Sequence, residues 1–298
     1  MDPLTQIVGH LAPEGLSWKR IIGRPDWAFA MPALQGIVFG MVLEGDAWAR
    51  CGDRLTLRTG DYLLLINPTA WTLGAGDGGA VEPFPDVRSG TVEARGSPSG
   101  TRLSTRIMAG HFHAGLEAAD LLGSLLPEIV YVSSDNPHGE RLKLLLTLLD
   151  EETGTDQPGQ EAVTRRLLEI MLIEGLRATA RTPDSAEVSL LRGLAEPRLA
   201  KALQAIHGDF AEHWSVRGLA DIAGMSRSSF SEYFLRLIGM PPMAYVNAWR
   251  LTGARQALRQ SDIPISVIAR QSGYGSTSAF SNAFRSAVGV GPAGYRAG

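Results

Sequence analysis

A single cysteine, Cys51, stands among 298 residues and leaves no partner for an intrachain disulfide. That excludes a disulfide-held secreted scaffold and fits a reducing compartment. The same shortage excludes an alkyl-acceptor repair module, which needs activated cysteines at metal-ligand spacing. No run of 18 or more apolar residues occurs, so no membrane-spanning helix and no membrane partner are expected. The opening MDPLTQIVGH lacks a basic stretch followed by an apolar one, so the chain reads as cytoplasmic rather than secreted. Charge of one sign is also lacking: 28 Lys and Arg face 31 Asp and Glu, a net of −3.

That near-neutrality conceals a division. Residues 196–298 hold 11 basic and 6 acidic side chains, a net of +5, whereas the 195 residues before them hold 17 and 25, a net of −8. A basic C-terminal part on an acidic N-terminal part suits a polyanion-binding module joined to something else. The length allows two domains, each with its own core.

The expected fold is α+β. Residues 1–125 form a β-sandwich or barrel, residues 126–190 a helical candidate dimerisation and linker segment, and residues 191–298 an all-helical domain. Short apolar stretches at Gly36–Leu43, Leu55–Leu57 and Tyr62–Ile66 alternate with turns at Glu44-Gly45-Asp46, Cys51-Gly52-Asp53 and Thr59-Gly60-Asp61. Gly74–Pro85 and Gly96–Gly100 read as loops. From Leu116 the period becomes helical, with helices at Leu116–Leu126, Glu140–Glu151 and Glu161–Ala180 and a linker at Arg181–Ser189. The last two helices carry more apolar surface than a lone surface helix needs. They pack either under the barrel or against a second copy.

The last hundred residues contain a repeat about 50 residues apart. Ala220, Gly224, Phe230, Ser231, Phe234, Gly239, Pro242 and Tyr245 recur as Ala269, Gly273, Phe280, Ser281, Phe284, Gly289, Pro292 and Tyr295, with one extra residue after the second glycine. Each copy predicts helix, tight turn, helix. The alanines let two helices approach, the glycines supply positive φ at a helix end, and each i, i+4 phenylalanine pair anchors the second helix. Ser215, Ser226 and Ser276 or Thr277 are N-cap candidates, and Pro197, Pro242 and Pro264 open further helices. The two units span residues 215–237 and 264–288.

The free face of the second helix in each unit suits the DNA major groove. It carries Arg227, Ser228, Ser231 and Glu232 in the first unit, and Thr277, Ser278, Ser281, Asn282 and Arg285 in the second. Asn pairs with adenine and Glu accepts from cytosine, whereas no Arg stands where it would pair with guanine. Arg227, Arg236, Arg250 and Arg285, with the helix N-termini at Ser226 and Ser276, are assigned to phosphates.

This pattern closely resembles the AraC/XylS family of bacterial transcription regulators. The tail supplies Gly273-Tyr274, Phe280, Phe284-Arg285, Gly289, Pro292 and Tyr295-Arg296. The resemblance implies seven helices, with two helix-turn-helix units bridged by the long helix Pro242–Gln260 and entering two successive major-groove segments. It places base contacts at Ser228, Ser231 and Glu232, and at Thr277, Ser278 and Asn282.

The N-terminal strand pattern, in Phe39–Gly45 and Gly60–Pro68, resembles a cupin-like sensor domain. Metal-binding cupins place histidines near Gly40 and Trp71 of this chain, and neither position is a histidine, so no metal or cofactor is expected. Trp18, Trp27, Trp48 and Trp71 belong either to the core or to a pocket, and Trp48, Trp71, His111 and His113 are the candidate effector pocket. His111 and His113, at i, i+2 on a strand, share a face and suit a metal if His10, Glu44 or Glu117 completes the set. Cys51 reads as an exposed turn thiol.

The resulting expectation is a sequence-specific regulator that is not an enzyme. It binds double-stranded promoter DNA as a homodimer, answers a small-molecule effector and works with RNA polymerase. The rival readings are a metal-dependent cupin enzyme with a DNA-binding appendage, and a nucleoid-type binder with little sequence preference.

Overall fold

The computed structural model describes residues 3–5, 16–24, 26–77, 80–86, 90–94, 105–113, 116–155, 157–179 and 190–297. The chain divides into two compact units, Ile7–Glu187 and Val188–Gly298 with Met1–Gln6.

In the first unit the strands are β1 (Leu16–Gly23), β2 (Trp27–Met31), β3 (Gly36–Glu44), β4 (Ala47–Cys51), β5 (Asp53–Leu57), β6 (Tyr62–Ile66), β7 (Trp71–Ala75), β8 (Val81–Pro83), β9 (Gly90–Ala94), β10 (Thr105–His113) and β11 (Ile129–Val132). They build a six-stranded sheet in the order β11-β6-β3-β10-β1-β9 and a five-stranded sheet in the order β5-β4-β7-β2-β8. One core joins the two. Ile21, Val38, Val42, Leu63, Leu65 and Ile107 from the first sheet meet Phe29, Ala49, Trp71 and Leu73 from the second. That is the sandwich or barrel expected from the strand spacing.

The middle of the six-stranded sheet, at β3 and β6, is buried on both faces. Tyr62–Ile66 is buried at every position, and Ile37, Phe39 and Met41 are buried as fully as Val38 and Val42. Such a strand reads as an unbroken apolar run because it has no solvent side. The second face is covered by helices: α1 (Leu116–Leu125) touches β3, and α3 (Gln160–Thr179) touches β6 and β11. Gly175 of α3 meets the ring of Tyr62, where a Cβ would stand 2.5 Å away. Helix α2 (Pro137–Thr153) packs on α3 and is tied to β1 by Arg20, whose Nη2 donates to Asp150 Oδ1 at 2.6 Å.

Two readings of the sequence change here. The stretch Gly74–Pro85 is not one long loop. Strand β7 continues to Ala75, and β8 pairs in parallel with β2 at the sheet edge, where Pro83 lacks nothing by having no N–H to give. Gly74 pairs with Ala28 and Trp48 within the strand, and the Trp48 indole lies over it, 2.5 Å from where a Cβ would be. Residues 126–190 are not wholly helical, since β11 extends the sheet beside β6. The buried carboxylate of Asp61 secures β11 by accepting from Tyr131 Oη, Ser134 N and Arg58 N, each at 2.8 Å. The Gly96–Gly100 loop and the Arg181–Ser189 linker lie outside the described residues.

The second unit is helical throughout its described part after residue 188. A short helix α4 (Leu190–Ala195), not anticipated from sequence, precedes the seven that were: α5 (Pro197–Gly208), α6 (Val216–Ala223), α7 (Arg227–Ile238), α8 (Pro242–Gln260), α9 (Ile265–Gln271), α10 (Thr277–Val288) and α11 (Pro292–Ala297). The N-cap of α5 is Glu196, whose carboxylate accepts from Leu199 N at 2.7 Å. Phe230, Phe234 and Tyr245 are fully buried in the first half, and Phe280 and Phe284 in the second.

Candidate nucleic-acid interface

Two helix-turn-helix units arise from the same local rules. Helix α6 begins at Ser215, whose hydroxyl accepts from Gly218 N at 3.1 Å. It ends at Gly224, at φ +64°, where Met225 N–H reaches back to Ala220 O at 2.9 Å. Helix α9 ends the same way, with Gly273 at φ +75° and Tyr274 N–H on Ala269 O at 3.0 Å. This 6→1 closure requires a left-handed residue, which glycine supplies without a Cβ clash. The repeat therefore aligns atom groups as well as letters.

The second helix of each unit is capped and anchored alike. Ser226 accepts from Ser229 N at 3.2 Å and Ser276 from Ala279 N at 3.1 Å, so Ser276 rather than Thr277 is the cap. The rings of Phe230 and Phe234 lie 5.6 Å apart and those of Phe280 and Phe284 lie 5.5 Å apart, all fully buried. With that face committed to the core, the other is left to solvent. Arg227, Ser228, Glu232 and Arg236 are exposed on α7, and Thr277, Ser278, Asn282 and Arg285 on α10.

Two predicted contacts are placed differently from the rest. Ser231 is half-buried and its hydroxyl donates to Arg227 O at 3.0 Å. Arg250 does not lie free for phosphate: its Nε donates to Phe210 O at 2.7 Å and its Nη2 to Glu212 O at 2.6 Å. These two bonds hold the guanidinium in a joint of the fold, and burial there lowers its pKa. One exposed residue was overlooked in the sequence. Leu235 is 47% exposed and continues the row of Ser228 and Glu232 at i, i+4, i+7. That spacing was its signal, and an apolar side chain there can contact a thymine methyl.

Residues 2–181 match the family model described as Cupin, and residues 219–298 match that of the helix-turn-helix domain. A putative AraC-like transcription regulator of Streptomyces lividans is 32% identical over 305 aligned positions, covering 99% of this chain and 98% of its own. The chain belongs to the AraC-like transcription regulators. The HTH-type transcriptional regulator AlkR of Acinetobacter baylyi is 29% identical, with 99% of each chain covered. The RCS-specific HTH-type transcriptional activator RclR of Escherichia coli is 28% identical over 99% of this chain and 97% of its own. This AraC-like regulator thus pairs a DNA-binding helix-turn-helix domain with a ligand-sensing cupin unit.

The sensor residues predicted for the regulator do not share one pocket. Trp71 points into the sandwich core with Val38, Leu63 and Ile107, around a void of about 20 Å³. Trp48 alternates with the core residues Ala47 and Ala49 and faces the other way. Its Nε1 donates to Gly76 O at 3.1 Å under an open cleft of about 380 Å³ lined by Asp46, Arg54, Thr56, Asp77 and Thr105. Trp27 belongs to the core.

His111 and His113 do come together, with ring centroids 4.0 Å apart. Yet His111 Nε2 is 2.7 Å from Gln35 O, and burial pulls its pKa down to about 4, so the neutral ring donates that hydrogen bond at pH 7. Among the described residues no three His, Cys, Asp or Glu side chains converge on a metal position. Glu44 is held by Arg106 at 3.0 Å, while His10 and the side chain of Glu117 lie outside the described residues. Cys51 is half-buried at the end of β4 rather than an exposed turn thiol, and burial raises its pKa, which leaves less thiolate. Among the described residues no helix is long and apolar enough to cross a membrane.

Proposed function

We propose that this regulator reads promoter DNA by placing α7 and α10 in two successive major-groove segments. Ser228 and Glu232 face bases in one segment, with Ser231 beside them tied to its own helix, and Thr277, Ser278 and Asn282 face bases in the other. Arg227, Arg236 and Arg285, with the helix N-termini at Ser226 and Ser276, hold phosphates. The observation that carries this reading is the paired geometry: two helices capped and anchored identically, each with its polar face exposed. With no arginine placed to pair with guanine, discrimination rests on Asn282, Glu232, apolar contacts and DNA shape.

The cupin unit answers a small-molecule effector, which alters how the DNA-binding units of a dimer are presented. The helical hairpin of α2 and α3 supports the dimer: Leu144 and Leu148 are exposed on one helix, and Val163 and Ile170 on the other. The protein works in the cytoplasm alongside RNA polymerase and has no catalytic role of its own.

Fluorescence anisotropy on DNA from upstream of its own gene, against scrambled DNA and over a salt series, tests the reading. Preference by a factor of about 10³ or more with a steep salt slope is expected. Equal, weak binding to both, with and without candidate effectors, overturns it.

A further inference from the structure

Arg250 sits in the middle of α8, the helix that joins the two helix-turn-helix units. Its guanidinium reaches back to the 209–214 loop, which leads from α5 into the first unit, and onto the carbonyls of Phe210 and Glu212. That loop is tied together by its own bonds. Asp209 Oδ1 accepts from Ala211 N at 2.8 Å and Glu212 N at 3.2 Å, and Trp214 Nε1 donates to Asp209 O at 2.8 Å. The Phe210 ring stacks on Trp249, one residue before Arg250, at 5.8 Å and 13°.

The same guanidinium touches the second unit. Its centre is 5.8 Å from the ring centroid of Tyr274, in the turn between α9 and α10. At Gly273, beside that ring, a Cβ would stand 2.7 Å from Ala211 O and 2.7 Å from Arg250 Nη2. The turn of the second unit therefore rests on the loop that leads into the first, and Arg250 bonds that loop and lies beside the turn. A guanidinium suits this place, since its planar fork satisfies two carbonyls at once while its charge lies over an aromatic ring.

We propose that Arg250 is a positioning residue that locks the two helix-turn-helix units at a fixed mutual orientation, so that the regulator senses the spacing between its two DNA segments. The proposal rests on the two-segment reading of DNA. With the units locked, the second segment is engaged at high effective concentration when its spacing is right and hardly at all when it is wrong.

The test uses the full chain in three forms: parent, Arg250→Ala and Arg250→Lys. Spin labels at Leu235→Cys and Ser286→Cys, in a Cys51→Ser background, report the distance between α7 and α10 without DNA. The expected result is one narrow distance distribution in the parent and a broadened or shifted one in both Arg250 variants. Duplexes selected by the parent from a random library, remade with one or two base pairs inserted between the segments, give the second readout. The parent is expected to lose about 100-fold on insertion, and Arg250→Ala to start about 10-fold weaker but lose only a few-fold more.

Unchanged distances overturn the proposal. So does a uniform loss at every spacing with the salt slope reduced by about one, the mark of a phosphate contact. If the parent selects no sequence, the two-segment reading fails, while the distance measurement still decides whether Arg250 locks the units. Should Arg250→Ala not fold, Gly273→Ala disturbs the same joint from the other side and must broaden the same distribution.

Discussion

Gly224 and Gly273 hold equivalent places in the two helix-turn-helix units, but an added methyl group meets different surroundings at each. Both are left-handed, at φ +64° and +75°. A Cβ at either one costs about 1–2 kcal/mol from the backbone conformation alone. At Gly224 nothing lies within 4 Å of that Cβ. At Gly273 it stands 2.7 Å from the carbonyl oxygen of Ala211, a backbone atom that cannot rotate aside. Moving the 209–212 loop adds an overpacking cost of about 1–3 kcal/mol. Gly224→Ala is therefore expected to destabilise its unit by about 1–2 kcal/mol and Gly273→Ala by roughly 2–5 kcal/mol. Amide hydrogen exchange on the full chain, followed in peptides of α6 and of α8 and α9, measures the two opening free energies separately. Gly273→Ala should speed exchange in its unit at least about fivefold more than Gly224→Ala does in its own. Equal effects, or a milder effect at Gly273, would refute the claim that the second turn bears on the first unit's loop.

Other consequences are open to direct measurement. The pKa of His111 is lowered from 6.5 to about 4 in the fold, so the unfolded chain takes up its proton first as pH falls. The stability this neutral histidine contributes is present above pH 6.5 and lost as pH drops toward 4, on the order of 3 kcal/mol; His111→Gln should flatten that part of the urea-midpoint profile. Asn282→Ala is expected to cost about 1–3 kcal/mol on selected DNA with little change on scrambled DNA, whereas Arg285→Ala should weaken both and reduce the salt slope by about one. Leu144→Glu with Ile170→Glu should shift the sedimentation of a dimer to that of a monomer, and an unchanged sedimentation coefficient would remove the hairpin as the dimer face.

Much of the helical half was legible before any coordinates. Its signals are local: a serine cap, a left-handed glycine and a phenylalanine pair each act within one or two turns of the chain. Within the described residues, helix ends marked by Ser226, Gly239 and Pro242 fall where the letters put them. The β-rich half was legible as strands and turns, but not as a pocket. The sequence offered Trp48 and Trp71 either to the core or to a pocket, and could not tell which face of which sheet is inside. Strand pairing decided that, through the alternation of Ala47 and Ala49 with Trp48 and the placing of β7 between β4 and β2. Strand β11 was lost because four residues between two helices carry too short a period to read, and it exists because β6 offers an open edge.

The sequence by itself determined that the last hundred residues form two like units with two free polar faces, because caps, closing glycines and anchoring aromatics are short-range devices. Only the tertiary structure decided what the long-range partners are. It turned Trp48 away from Trp71, set His111 on the carbonyl of Gln35, and took Arg250 from the surface into the joint between the two units. Each of these outcomes depends on a backbone carbonyl between 28 and 76 residues away in the chain, and a carbonyl is common to every residue, so no letter in the sequence marks it.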